Sequence, residues 1–121
     1  MATFEIDGKE YELKLTFESV KRLSKAFEGG SLEVVAMALA GDLEAFPAIV
    51  HAGLLHTGEK FTQKKVNESI EKAFEEERLT LDDIAKIGKE VVADNFFFKP
   101  TVQKLMKQNP DVAKAMKVIH G

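Results

Sequence analysis

The chain of 121 residues contains no cysteine. That excludes a disulfide scaffold, a thiol nucleophile and a thiolate metal site. Long apolar runs are missing too. The longest uncharged stretch, AFPAIVHAGLLHTG over residues 45 to 58, includes Pro47, His51 and His56. It falls short of the ~20 residues a membrane-spanning helix needs. The first residues, MATFEIDGKEYELKL, are acidic and alternating. A secretory signal would be basic and then apolar, so none is expected.

Catalytic constellations are equally scarce. His51 and His56 are five positions apart with no glutamate between them in zinc-protease spacing. A helix would point them to diverging faces, and His120 stands alone. The acid runs Asp82-Asp83 and Glu75-Glu76-Glu77 fit helix starts or solvated faces better than a metal site. No glycine-rich phosphate loop follows a strand, and Gly29-Gly30 reads as a helix stop. Ser19, Ser24, Ser31 and Ser69 have no nucleophile-elbow context. No enzyme activity, cofactor or metal is expected from these residues.

The charge present is uneven. The net charge is -3, yet residues 99 to 121 carry five lysines against one acid, Asp111. An acidic body with a basic tail can steer partners or pack head to tail with its own kind. The plainer reading is a solvated helix with its lysines outward. Nucleic-acid binding would rest on that tail alone, without interleaved aromatics or a recognisable motif.

The fold class expected is mainly α, with an N-terminal β-hairpin packed on a bundle of about five to six helices. In TFEIDGKEYELKL, Phe4 and Ile6 alternate with polar residues, as do Tyr11, Leu13 and Leu15. Asp7-Gly8 between them suits a tight turn that needs positive φ. Thr16 is a plausible N-cap for a helix carrying Phe17, Val20, Leu23 and Phe27. Ser31 is expected to cap a second helix that ends at Gly41. A third runs to about His56, either capped by Asp42 or starting at Pro47. It is apolar nearly all round and should be central. Thr62 caps a fourth, with Val66, Ile70, Ala73 and Phe74 as its stripe. Thr80-Leu81-Asp82-Asp83 resembles a capping box with Asp in place of Glu or Gln. The helix it opens carries Ile84, Ile87, Val91 and Val92 and runs toward Phe98, where Pro100 is expected to end it. Residues 1 to 98 form the expected compact domain, with hairpin 3 to 15 and helices 17 to 98. Residues 99 to 121 form a helical segment able to stay mobile until it meets a partner.

One short stretch, DNFFFKP, poses the main question. No single helix face can bury three consecutive phenylalanines. At ~100° per residue, Phe98 falls inside the stripe of Ile84, Ile87, Val91 and Val92. Phe96 falls on its flank, where a neighbouring helix can cover it. Phe97 falls on the charged face. Either the helix frays at Asn95 and all three rings tuck inward, or the C-terminal segment folding back or another chain covers what remains. The candidate partner or self-association surface is Phe96, Phe97, Val102, Leu105, Met106 and Met116.

The order of hairpin, LKLTFESVKRLSKAF, a glycine break, ALAGDLEAFPAIVHAGLLH and FTQKKVNESIEKAF resembles the tail assembly chaperones of long-tailed bacteriophages and related prophages. The likeness is closest from Leu13 to Leu55 and extends to about Phe74, roughly half the chain. It implies a small helical protein of the host bacterial cytoplasm that is absent from the mature virion. It implies that the tape measure protein is coated before the tail tube polymerises around it. It further implies self-association into rings or spirals. A frameshifted longer form, whose extension contacts the tail tube protein, occurs in many relatives. The resemblance carries no active-site residues. Two other readings stay open: a structural tail component or adaptor retained in the virion, and a small nucleic-acid-binding regulatory domain.

Overall fold

The computed structural model describes residues 1–108. Two strands, β1 (Thr3–Ile6) and β2 (Lys9–Glu12), form an antiparallel hairpin. Six α-helices follow: α1 (Phe17–Ala26), α2 (Gly30–Ala40), α3 (Ala45–Leu54), α4 (Gln63–Glu75), α5 (Leu81–Gly88) and α6 (Lys99–Gln108). A π-helical turn over Lys89–Ala93 continues α5, and a 3-10 turn over Phe96–Phe98 precedes α6. The chain is thus mainly helical with an N-terminal hairpin, as its patterning predicts.

The hairpin turn is made as the Asp-Gly pair requires, with Asp7 and Gly8 both at positive φ. Phe4 pairs with Tyr11, so the alternating apolar residues share one face. Phe4, Ile6, Leu13 and Leu15 are buried, and Tyr11 meets Phe61 edge-on at 5.1 Å. A lone hairpin is marginal in water. This one is fastened to the helices at several points. The Lys14 N–H donates to the Gly53 carbonyl at 3.0 Å, and Lys65 on α4 pairs with Asp7 at 2.9 Å. Gly53 permits the approach, because a Cβ there would sit 3.1 Å from the Leu13 Cβ.

Helix starts follow local chemistry. The Thr16, Thr62 and Thr80 hydroxyls accept from the N–H groups of Ser19, Lys65 and Asp83, filling donors that a first turn leaves open. Asp83 returns the contact to the Thr80 N–H at 2.9 Å, closing a capping box. Asp42 accepts from the Ala45 N–H at 2.9 Å and leads into α3. Ser31, in contrast, caps nothing. It lies inside α2, whose entry is formed by Gly29 and by Glu33, which accepts the Gly29 N–H at 2.7 Å. Gly41 ends α2 in the left-handed region.

The core is centred on α2 and α3. Helix α3 buries Ala45, Phe46, Ile49, Val50, Ala52, Gly53 and Leu54, in line with its all-apolar sequence. Helix α2 packs against α1, α3, α5, the π turn and α6. These two apolar helices are bent by 106° at their junction, and no single helix among the described residues is long and apolar enough to cross a membrane.

The end of the described region departs from the expected continuous helix. The π turn shifts the helical phase after Gly88, and Asn95 is extended, which ends the helix before the phenylalanines. Pro100 terminates nothing. It lies in the first turn of α6, where a missing N–H is harmless, and Lys99 before it is helical. Helix α6 joins the core through Val102 and Leu105, so the core continues past residue 98.

Candidate functional site

The three phenylalanines have three different fates. Asn95 Oδ1 accepts the Phe97 N–H at 2.9 Å, fixing a tight turn that separates the rings. Phe98 is fully buried at 0% exposure, whereas Phe96 is 82% exposed and Phe97 45%. Phe97 meets Phe98 edge-on, with ring centroids 5.3 Å apart. The break at Asn95 is therefore present, but it tucks in only one ring. Phe96, expected to be covered by a neighbouring helix, stands in the open.

The remaining candidate residues do not form one surface with them. Val102 and Leu105 are buried, so they belong to the core and not to an open face. The same apolar spacing that suggested a partner surface is satisfied by α2. Met106 is partly buried against that core. Met116 lies outside the described residues.

Phe97 instead joins a residue far away in sequence. With Phe17, Val20, Ser24 and the stems of Lys21 and Lys25 it lines an open groove of about 540 Å³ along α1. Phe17 is exposed although it fits the helical spacing of α1. It is the first residue of that helix and points about 120° away from buried Leu23. The groove is basic: Lys21, Arg22 and Lys25 face one acid, Glu18. Lys21 Nζ lies 5.8 Å from the Phe17 ring centroid, a cation–π distance.

A second open cleft, also about 540 Å³, lies where α3 and α5 begin and α4 ends. Phe46 and Ile84 form its buried floor, while Leu43, Phe74 and Leu81 are exposed. Its charged lining is acidic, Glu71 and Glu75. Phe74, expected inside its helix stripe, is exposed, and so is Leu81. Phe74 sits about 80° from Val66, at the stripe's edge, and Leu81 is the first residue of α5. Helix-end position was the available signal for Phe17 and Leu81, because an end residue projects past the neighbour that covers the middle. Isolated exposed apolar residues are ordinary, but two clusters on one small domain are candidate interaction surfaces.

The histidines have structural partners. His51 Nε2 lies 2.8 Å from the Phe61 carbonyl, and His56 Nε2 lies 2.7 Å from the Glu12 carbonyl, so each donates to the main chain. Among the described residues no three His, Asp or Glu side chains come together as a metal site. Lys65 has its pKa raised, first by its hydrogen bond to Asp7; desolvation opposes this, and the nearby charges of Asp7 and Glu68 add to the rise.

The described domain is helical and presents two apolar faces of opposite net charge. The chain belongs to the phage tail assembly chaperone family (TAC), whose model matches residues 3–107. That match spans nearly all of the described domain, including α6. No curated protein and no solved structure matches the chain.

Proposed function

We propose that this protein binds the tape measure protein during tail morphogenesis and self-associates along it. The observation carrying this reading is the family match over residues 3–107, on a domain that exposes Phe17, Phe96 and Phe97 beside a basic helix face. A long helical partner awaiting its tube needs apolar surface covered, and a chaperone for it needs a way to repeat. The work is binding and release without chemistry, in the host bacterial cytoplasm, and the protein leaves before the virion is complete. A frameshifted longer form and the tail tube protein are further partners under this reading.

Co-expression with the tape measure protein of the same phage tests the binding. The tape measure protein should remain in the soluble fraction and co-purify with this chain. If it aggregates equally with and without the chain, the reading fails. Mass spectrometry of purified virions should not detect the chain; stoichiometric presence would favour a structural tail component. For self-association, the pair is Phe97→Asp and Phe98→Asp, read by light scattering and circular dichroism. The first should dissolve oligomers and keep helicity. The second should unfold the domain, since Phe98 is wholly buried. If Phe97→Asp also unfolds it, Phe97 is part of the core.

A further inference from the structure

The two exposed apolar faces differ in one respect that decides what each can meet. The groove along α1 presents Phe17 and Phe97 among Lys21, Arg22 and Lys25, with one acid, Glu18, paired to Lys21 and Arg22. The cleft at the end of α4 presents Leu43, Phe74 and Leu81 beside Glu71 and Glu75, with no base in its lining. The two share no residue. Neither Glu71 nor Glu75 has an ion-pair partner among the described residues.

We propose that the basic aromatic face of one copy seats on the acidic apolar cleft of the next copy. This rests on the self-association proposed above and names the two surfaces that carry it. The argument is complementarity of both kinds. Each face offers exposed large apolar side chains that gain by leaving water, and aromatic anchors in apolar pockets dominate interface energies. The net charges of the two faces are opposite, basic along α1 even with Glu18 and acidic at the cleft. A two-fold dimer through either face alone would set like charges against each other near its axis. Pairing unlike faces avoids that penalty. It also makes the contact heterologous, so a pair of copies still has one free face of each kind between them. Such a contact closes into a ring if the rotation permits and otherwise grows as a spiral. Phe96, adjoining Phe97, is the most exposed aromatic ring of the described chain.

The test is charge reversal with rescue in the full chain. One variant is Lys21→Glu with Lys25→Glu; the other is Glu71→Lys with Glu75→Lys. All four side chains are exposed, so both variants should retain wild-type helicity. Light scattering across a concentration series should show each variant alone associating at least about tenfold more weakly than wild type. An equimolar mixture should regain large oligomers, because the reversed faces now fit one another. If the Glu71→Lys, Glu75→Lys variant associates like wild type, the cleft is not a self-contact, and loss of tape measure binding in that variant would assign it to that partner. If both variants dissociate but the mixture stays small, the two faces do not meet each other. A wild-type chain that is monomeric at every concentration would overturn the underlying self-association, not merely this pairing.

Discussion

At the scale of single residues, the clearest contrast lies within Phe96–Phe98. Phe98→Ala should cost about 3–5 kcal/mol, the usual loss for a buried phenylalanine. Phe96→Ala should change stability by less than about 0.5 kcal/mol, as surface substitutions do. Urea melts of both variants check this; equal losses would mean that Phe96 is covered. Gly88 gives a second prediction. A Cβ there would lie 2.4 Å from the Ala38 carbonyl oxygen and 3.0 Å from its carbon. Those are backbone atoms that cannot swing aside, so Gly88→Ala must push α5 off α2. A loss of about 1–3 kcal/mol or more is expected despite alanine's better helix propensity. A stabilised Gly88→Ala would show that the helices can separate freely. The sequence pointed to a buried Phe98 through a continuous helical stripe, but the ring reaches the core by another route, a 3-10 turn after the helix has ended. The demand on Gly88 was not legible in the sequence, since spacing says nothing about which backbone passes closest.

At the scale of elements, starts were more legible than ends. Thr16, Thr62 and Thr80 cap their helices because a threonine before an apolar-periodic run has a local job that no distant contact alters. Thr80→Ala removes the central contact of its capping box and should cost about 1 kcal/mol, measured by thermal melting. The π turn could not be read from residue spacing, because it depends on a pairing made in three dimensions. Lys89, with a side chain only 7% exposed, reaches Asp94 at 2.8 Å across that turn. Asp94→Asn leaves the buried ammonium without its counter-charge and should cost about 1–3 kcal/mol. Combining it with Lys89→Met should recover much of the loss, since an apolar pair of similar shape needs no partner. An unchanged urea midpoint for Asp94→Asn alone would remove the pair from any role in holding the turn. The Lys65–Asp7 link between α4 and the hairpin has a defined pH window. Its lysine pKa is raised in the folded state, so its contribution is complete below the unfolded lysine value of about 10.4. The contribution is lost as pH climbs through the folded value. Lys65→Met should therefore flatten the alkaline limb of the stability profile and lower the neutral region evenly by the small contribution of an exposed ion pair.

At the scale of the whole molecule, the interaction faces arise from pieces remote in sequence. Phe17 and Phe97 line one groove from opposite ends of the chain, a juxtaposition that no local pattern encodes. The same distance explains why shortening the chain is a poor way to locate the interface. A chain ending at Asn95 that failed to associate would also lack Phe98, Val102 and Leu105, all members of the core. Burying each side chain is worth about 1.5–3 kcal/mol, and a domain of this kind has only about 5–15 kcal/mol in total. The shortened chain should therefore melt at much lower urea, with a broadened or absent transition. If it melts cooperatively at the wild-type midpoint, α6 is an appendage, and its packing on α2 contributes nothing measurable. The surface variants escape this ambiguity. Lys21, Lys25, Glu71 and Glu75 are exposed, so a change in association with an unchanged melt belongs to the faces and not to the core. Salt adds an independent reading of the same contact. Charges at an interface rim are screened over about 10 Å at 0.1 M salt and about 3 Å at 1 M, while apolar burial is not weakened by that screening. Association should fall as salt rises from about 0.1 M to about 1 M and then level at a residual apolar contribution. The Lys21→Glu, Lys25→Glu variant should lose that salt dependence or invert it, because screening now relieves a repulsion. An identical salt response in wild type and variant would mean that the α1 lysines play no part in how copies meet.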